Sequence, residues 1–316
     1  MEQRTFLTDI LGIKHPIILA PMFLVSNIDM LVAASKSGIT GCVPALNYRT
    51  IKDLEVALKA LKMNCEGPFG VNLIVNKSNF LYKEQLKVCC KYKVDYIITS
   101  LGSPKETIDM AHKAGIKVFC DVVNLEYAKK VETLGADALV AVNREAGGHF
   151  GPTSYKELIP KLVNNCSIPV ISAGGVGNKK QLDKMLQLGA AGVSVGSLFI
   201  ASKESNVSTE YKDACVQYGA NDIISTNKLS GLDCTIINTP YVQKMETQQN
   251  KLEQFLNEHK RLKKWFKAFI FYNGMKTFQK AAFSATYKTV WCAGPSIDHV
   301  KSIKSVNAIV NDLIKD

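Results

Sequence analysis

His149 lies in the run Asn143-Arg-Glu-Ala-Gly-Gly-His-Phe-Gly-Pro152, with three glycines within two positions of it. Histidine is the side chain best suited to moving a proton near neutral pH. Glycine lets a backbone bend unusually or come close to another group. Together they suggest a flat, bulky group lying against this backbone with His149 over it. Two further stretches, Ala173-Gly-Gly-Val-Gly177 and Gly196-Ser197, present backbone N–H groups without side chains to shield them. Such groups suit a phosphoryl group, although tight strand-to-helix turns would also call for small residues. The remaining histidines compete poorly: His15 precedes the first apolar run, His112 falls in a helical stretch, and His259 and His299 lie in the last fifth of the chain. No second histidine or carboxylate stands at metal-ligand spacing from His149, so no metal is assigned. Cys42 and Cys120 sit in apolar runs and read as core rather than as nucleophiles.

The elements that must position these residues follow from the pattern of apolar runs. Strands are expected at 17–20, 41–44, 69–75, 96–100, 117–123, 138–143, 169–173 and 192–196, with helical periodicity between them. Continuous apolar, β-branched strands separated by helices imply a parallel sheet covered on both faces. Eight evenly spaced strands favour a closed (β/α)8 TIM barrel over an open sheet. Gly38, Gly115, Gly135 and Gly189 each end a helix just before the next strand, as a left-handed cap requires. In such a barrel the active site lies at the C-terminal ends of the strands. Those ends bring up Met22, Asn72, Ser100, Asp121, His149, the 173–177 glycines and Gly196-Ser197. The glycine loops after the seventh and eighth strands fall where barrels of this kind hold phosphate. No GxGxxG opens a βαβ unit, and no GxxxxGK(S/T) phosphate loop is present, so a mononucleotide such as FMN suits the site better than a Rossmann-bound dinucleotide.

The chain divides into a barrel over 1–204, a polar, helical C-terminal subdomain over the barrel mouth at 205–290, and a closing segment and helix at 291–316. Within the second part, Leu252, Phe255, Leu256, Leu262, Phe266, Phe269 and Ile270 share one face of a basic amphipathic helix, read as packing on its own domain. The net charge of +11 comes from 39 basic residues, of which only Arg4, Arg49, Arg144 and Arg261 are arginine. Base readout and phosphate forks favour arginine, so the diffuse lysines read as a solvated surface and no nucleic-acid partner is expected. No apolar run is long enough to span a bilayer, and the first residues lack a secretory signal core. Nine cysteines without CxxC spacing are expected as reduced thiols in the cytoplasm.

The stretches PIILAPMFLVS (16–26), FGVNLIV (69–75), EAGGHFG (145–151), IPVISAGGVGN (168–178) and GAAGVSVGSLFIASKES (189–205) resemble the nitronate monooxygenase family, FMN-containing barrels once called 2-nitropropane dioxygenases. The resemblance implies that His149 is the catalytic base near the flavin. It implies that Met22 and Asn72 line the isoalloxazine, that Val142 and Gly147 touch the flavin, and that Gly175 with Ser194, Val195, Gly196 and Ser197 forms the phosphate cradle. Departures are visible. Val142 stands where many members carry Gln, Ser197 where many carry Thr, and Ala293-Gly-Pro295 where AGQ is usual. The expected activity is FMN-dependent oxidation of alkyl nitronates with O2 to a carbonyl compound and nitrite. Flavin-dependent enoyl-ACP reductases share the EAGGH and AGG blocks, so an NAD(P)H-dependent reductase of enoyl thioesters or quinones stays as an alternative. A non-catalytic flavin- or phosphate-binding barrel is a further one. Assembly as a homodimer is left open.

Overall fold

In the computed structural model, residues 5–76, 79–227, 232–244 and 290–315 are described. Eight parallel strands close into a barrel in the order β1 (Ile17–Leu19), β2 (Thr40–Pro44), β3 (Phe69–Ile74), β4 (Tyr96–Ser100), β5 (Lys117–Val122), β6 (Ala138–Val142), β8 (Val170–Ala173) and β9 (Gly192–Val195). The last strand returns to the first, with Ile17, Ile18 and Leu19 opposite Val193, Ser194 and Val195. The expected (β/α)8 barrel is therefore the observed one, with strand limits within one or two residues. Helices start where a side chain can take up an orphan N–H. Asn27, Asn124 and Asn178 each cap the helix that follows by accepting from the backbone three residues on. The four glycines that end helices all have positive φ, between 75° and 94°, a region open to glycine at little cost.

Two apolar layers hold the barrel. Inside it, Ile18, Cys42, Tyr96, Ile98, Phe119, Val140 and Ile171 pack together, and the helix α1 (Phe6–Leu11) plugs the N-terminal mouth with Leu7 and Leu11. Tyr96 stacks on Phe119 with ring centroids 5.0 Å apart, and its hydroxyl donates to the Gly41 carbonyl at 3.1 Å. Gly70 is needed here, because a Cβ would lie 2.2 Å from the Tyr96 ring. Outside, the strands bury Leu19, Val43, Val71, Ile97, Val118 and Leu139 against the helices. With one mouth plugged, the other is left for ligands.

A second sheet stands at the open mouth. Gly148–His149 forms the short strand β7, paired antiparallel with β11 (Cys234–Ile237), which pairs in turn with β10 (Ile223–Thr226). The region 205–290 read from sequence as helical with little strand signal. Its described part instead supplies two of these three strands, along with the helix Thr209–Gln217. The amphipathic stretch 252–270 lies outside the described residues. The closing helix Val306–Ile314 packs back on the barrel, its first N–H donating to the Glu204 carboxylate at 2.9 Å.

Candidate active site

Every barrel strand sends its C-terminal end to one cavity of about 660 Å³. Its wall contains Met22 from the end of β1, Asn72 from β3, Ser100 from β4, Asp121 from β5, Val142 from β6, Gly175 after β8 and Ser194 to Ser197 from β9. Gly147 and His149 complete the wall from the β6–β7 loop. All ten residues singled out in the sequence thus meet around one space. A volume of this size falls in the range of small-molecule and cofactor sites.

The loop carrying His149 is built from the barrel outward. Asn143, fully buried, is its anchor. Its amide nitrogen donates to the Gly174 carbonyl at 3.1 Å, and its Oδ1 accepts from the Glu145 N–H at 2.9 Å. Gly174 must stay glycine: its φ is +112°, and a Cβ would lie 2.4 Å from Asn143 Oδ1. One turn further on, the Gly147 backbone meets the Gly294 backbone so closely that a Cβ on either would be within 2.8 Å of the other's nitrogen. The Gly148 N–H donates to Thr235 Oγ1 at 2.9 Å, and His149 pairs in register with Cys234. His149 is thus mounted on an edge strand held through its pairing with β11. His149 is exposed at the cavity mouth, and the protein atoms gathered around it there disfavour the charged ring, which lowers its pKa from the usual histidine value. At neutral pH it is an uncharged base.

The stretches expected to cradle a phosphate divide their tasks. The N–H groups of Gly196 and Ser197, at the start of a short helix, meet no protein acceptor among the described residues. The Gly175 N–H is already committed to the Glu145 carbonyl at 3.2 Å, so this glycine offers no donor. The Ser197 hydroxyl oxygen accepts from the Gly294 N–H at 2.8 Å and braces the closing segment against the barrel.

Ser100 and Asp121, though located at strand ends by the sequence, were given no role there. In the structure they form a chain with Asn72. The Asn72 amide donates to the Ile98 carbonyl at 3.1 Å and to Ser100 Oγ at 2.8 Å, and the Ser100 hydroxyl donates to Asp121 Oδ2. Enclosure pushes the Asp121 carboxyl up to about 6, partly offset by the Ser100 hydrogen bond. Tyr211 and Cys234, from the subdomain expected over the barrel mouth, and Cys292, from the closing segment, also reach the cavity, though the sequence assigns these side chains no site role. No group of three or more histidine, cysteine, aspartate or glutamate residues suited to a metal occurs among the described residues. No helix among them is long and apolar enough to cross a membrane.

The nitronate monooxygenase family model matches residues 4–83 and 77–316, nearly the whole chain. The chain belongs to the nitronate monooxygenase family. It is an enzyme, an oxidoreductase of this family. A probable nitronate monooxygenase from Staphylococcus haemolyticus is 28% identical over 294 residues, covering 79% of this chain and 82% of that protein. A (3aS,4S,5R,7aS)-5-hydroxy-7a-methyl-1-oxo-octahydro-1H-indene-4-carboxyl-CoA dehydrogenase from Rhodococcus jostii is 30% identical over 247 residues, covering 78% of this chain and 69% of that protein. Among solved structures, FabK from Thermotoga maritima superposes with a TM-score of 0.85 at 29% identity, covering 98% of this chain and 94% of that one. Nitroalkane oxidase from Streptomyces ansochromogenes, at 22% identity and a TM-score of 0.79, shares the fold.

Proposed function

We propose that the cavity holds FMN and that the enzyme oxidises alkyl nitronates with O2 to a carbonyl compound and nitrite. The observation that carries this reading is the mounting of His149: an uncharged base on a two-residue strand at the mouth of a cavity whose far wall offers unpaired backbone N–H groups. The residues present fit a mononucleotide. The Gly196 and Ser197 N–H groups would hold its phosphate, and Gly174 and Gly175 let the loop after β8 pack closely on Ala146 and Glu145. Met22, Asn72, Val142 and Gly147 would line the ring. When bound, FMN supplies the electron transfer from substrate to O2.

This chain's own residues do the rest. His149 Nε2 or Nδ1, neutral at pH 7, takes a proton from the α-carbon of a neutral nitroalkane and so produces the nitronate in place. The apolar wall formed by Ile98, Val140 and Val142 excludes water from the ring side of the cavity. The β7–β11 pairing fixes the distance between the histidine and that wall.

A second reading, an NAD(P)H-dependent reductase of enoyl thioesters or quinones, is favoured by the close superposition on FabK and by the carboxyl-CoA dehydrogenase relative. The two part under anaerobic conditions. A yellow protein bleached by ethyl nitronate and not by NADH supports the monooxygenase. Bleaching by NADH moves the assignment to the reductase, and a protein that takes up no FMN overturns both.

A further inference from the structure

Asp121 is an ionisable group of the cavity wall that the proposed chemistry leaves unused. Its carboxyl lies in the cavity wall at the C-terminal end of β5, on the barrel side of the space. One of its oxygens is fixed by the Ser100 hydroxyl, whose own oxygen is claimed by the Asn72 amide. That amide is oriented independently, because its nitrogen faces the Ile98 carbonyl, which only accepts. The result is a rigid line of three side chains on three adjacent strands, ending in a carboxyl group. Among the described residues, no lysine or arginine lines the cavity to neutralise it.

We propose that Asp121 is a ligand-facing charge that sets how readily the bound cofactor accepts electrons, with Ser100 and Asn72 as the residues that position it. This rests on the flavin reading above. A flavin that gains two electrons and one proton carries a net negative charge on its ring. A fixed carboxylate in the same poorly hydrated wall opposes that charge, because Coulomb interactions there are screened less than in water. The device would hold back reduction until a substrate as electron-rich as a nitronate is present. It also has a built-in limit. Enclosure raises the Asp121 carboxyl to about 6, so its charge is present at pH 8 and largely gone at pH 5. The titratable groups among the described residues that feel its charge are Cys42 on β2, Cys120 on its own strand and Tyr127 on the following helix. Burial raises all three, so they stay neutral across that range. His149, Glu145 and Asp233 share the cavity and are common to every protein compared below.

The test measures FMN dissociation constants in the oxidised form and in the dithionite-reduced form, for the wild type and for Asp121→Asn, at pH 8 and pH 5. Asparagine keeps an acceptor for Ser100 and removes the charge. At pH 8, the ratio of oxidised to reduced dissociation constants is expected to rise at least tenfold in Asp121→Asn, meaning that the reduced form gains. At pH 5 the two proteins are expected to agree within about threefold. Ser100→Ala, which frees the carboxyl, should give an intermediate change at pH 8. Equal ratios for wild type and Asp121→Asn at both pH values would overturn the inference while leaving the flavin reading intact. A tenfold change persisting at pH 5 would assign the effect to shape and overturn it as well. A wild type that takes up no FMN in either form would overturn both.

Discussion

Replacing Gly147 by alanine tests how the histidine loop is held. The new Cβ would stand 2.8 Å from the Gly294 nitrogen and 2.8 Å from Ser197 Oγ, with the Ala293 carbonyl carbon at 3.3 Å. Ordinary contact begins near 3.4 Å, so the loop and the 293–294 segment must separate by about 0.6 Å. Two of the three neighbours are backbone atoms, so no side-chain rotation relieves the clash. Separation also stretches the 2.8 Å hydrogen bond from the Gly294 N–H to Ser197. Overpacking of a rigid site costs about 1–3 kcal/mol and a weakened hydrogen bond about 0.5–1.5 kcal/mol, for a sum of about 2–4 kcal/mol. With an unfolding entropy of roughly 2 cal/mol/K per residue, each kcal/mol shifts the midpoint of a chain this long by about 1.5 °C. The thermal midpoint, followed by circular dichroism, should therefore fall by about 3–6 °C. Gly294→Ala should give a similar fall, since its Cβ would lie 2.7 Å from the Gly147 nitrogen. Because the two clashes are relieved by the same separation, the double variant should lose less than the sum of the singles. A midpoint within 1 °C of wild type for Gly147→Ala would refute the close approach.

Three other outcomes follow from the site. His149→Ala is expected to retain FMN and to lose at least a hundredfold in kcat/KM for a neutral nitroalkane while still turning over preformed nitronate; undiminished activity with the neutral substrate in a steady-state assay would remove the base assignment. Desolvation lowers the His149 pKa, so the acid limb of the pH–rate profile for the neutral substrate should fall below pH 6.5, and a limb above that value would contradict the burial argument. The Asp121 carboxyl, raised from 3.8 to about 6, binds a proton in the native state that the unfolded chain has already released between about pH 4 and 6, so native stability falls as pH rises through that window. Asp121→Asn removes this penalty and should gain about 1–3 kcal/mol at pH 8, dwindling toward pH 4, as read by urea unfolding.

The barrel was legible because its signal is repeated: eight apolar runs, each followed by a helix, with glycines at the turns. The candidate site residues were legible because glycine and histidine carry constraints that a single sequence displays. What escaped was the small sheet at the mouth. Gly148–His149 is too short to show an alternating pattern, and its partner Cys234–Ile237 lies about 85 residues away, so only the fold reveals the pairing. Asp121 was visible at a strand end but ambiguous, because a carboxylate there could as well face solvent. Its role depends on Ser100, whose position one strand over is a matter of register: Thr99 opposite Cys120 sets Ser100 beside Asp121.

The pairing of His149 with Cys234 also bears on the order in which the molecule comes into being. All eight barrel strands have been synthesised by residue 195, whereas the strand that steadies the histidine is made some forty residues later. The glycine that meets Gly147 is later still, at position 294. On the ribosome the scaffold can close while the base that works on it is still unmoored, so a nascent chain acquires its shape before its reactivity.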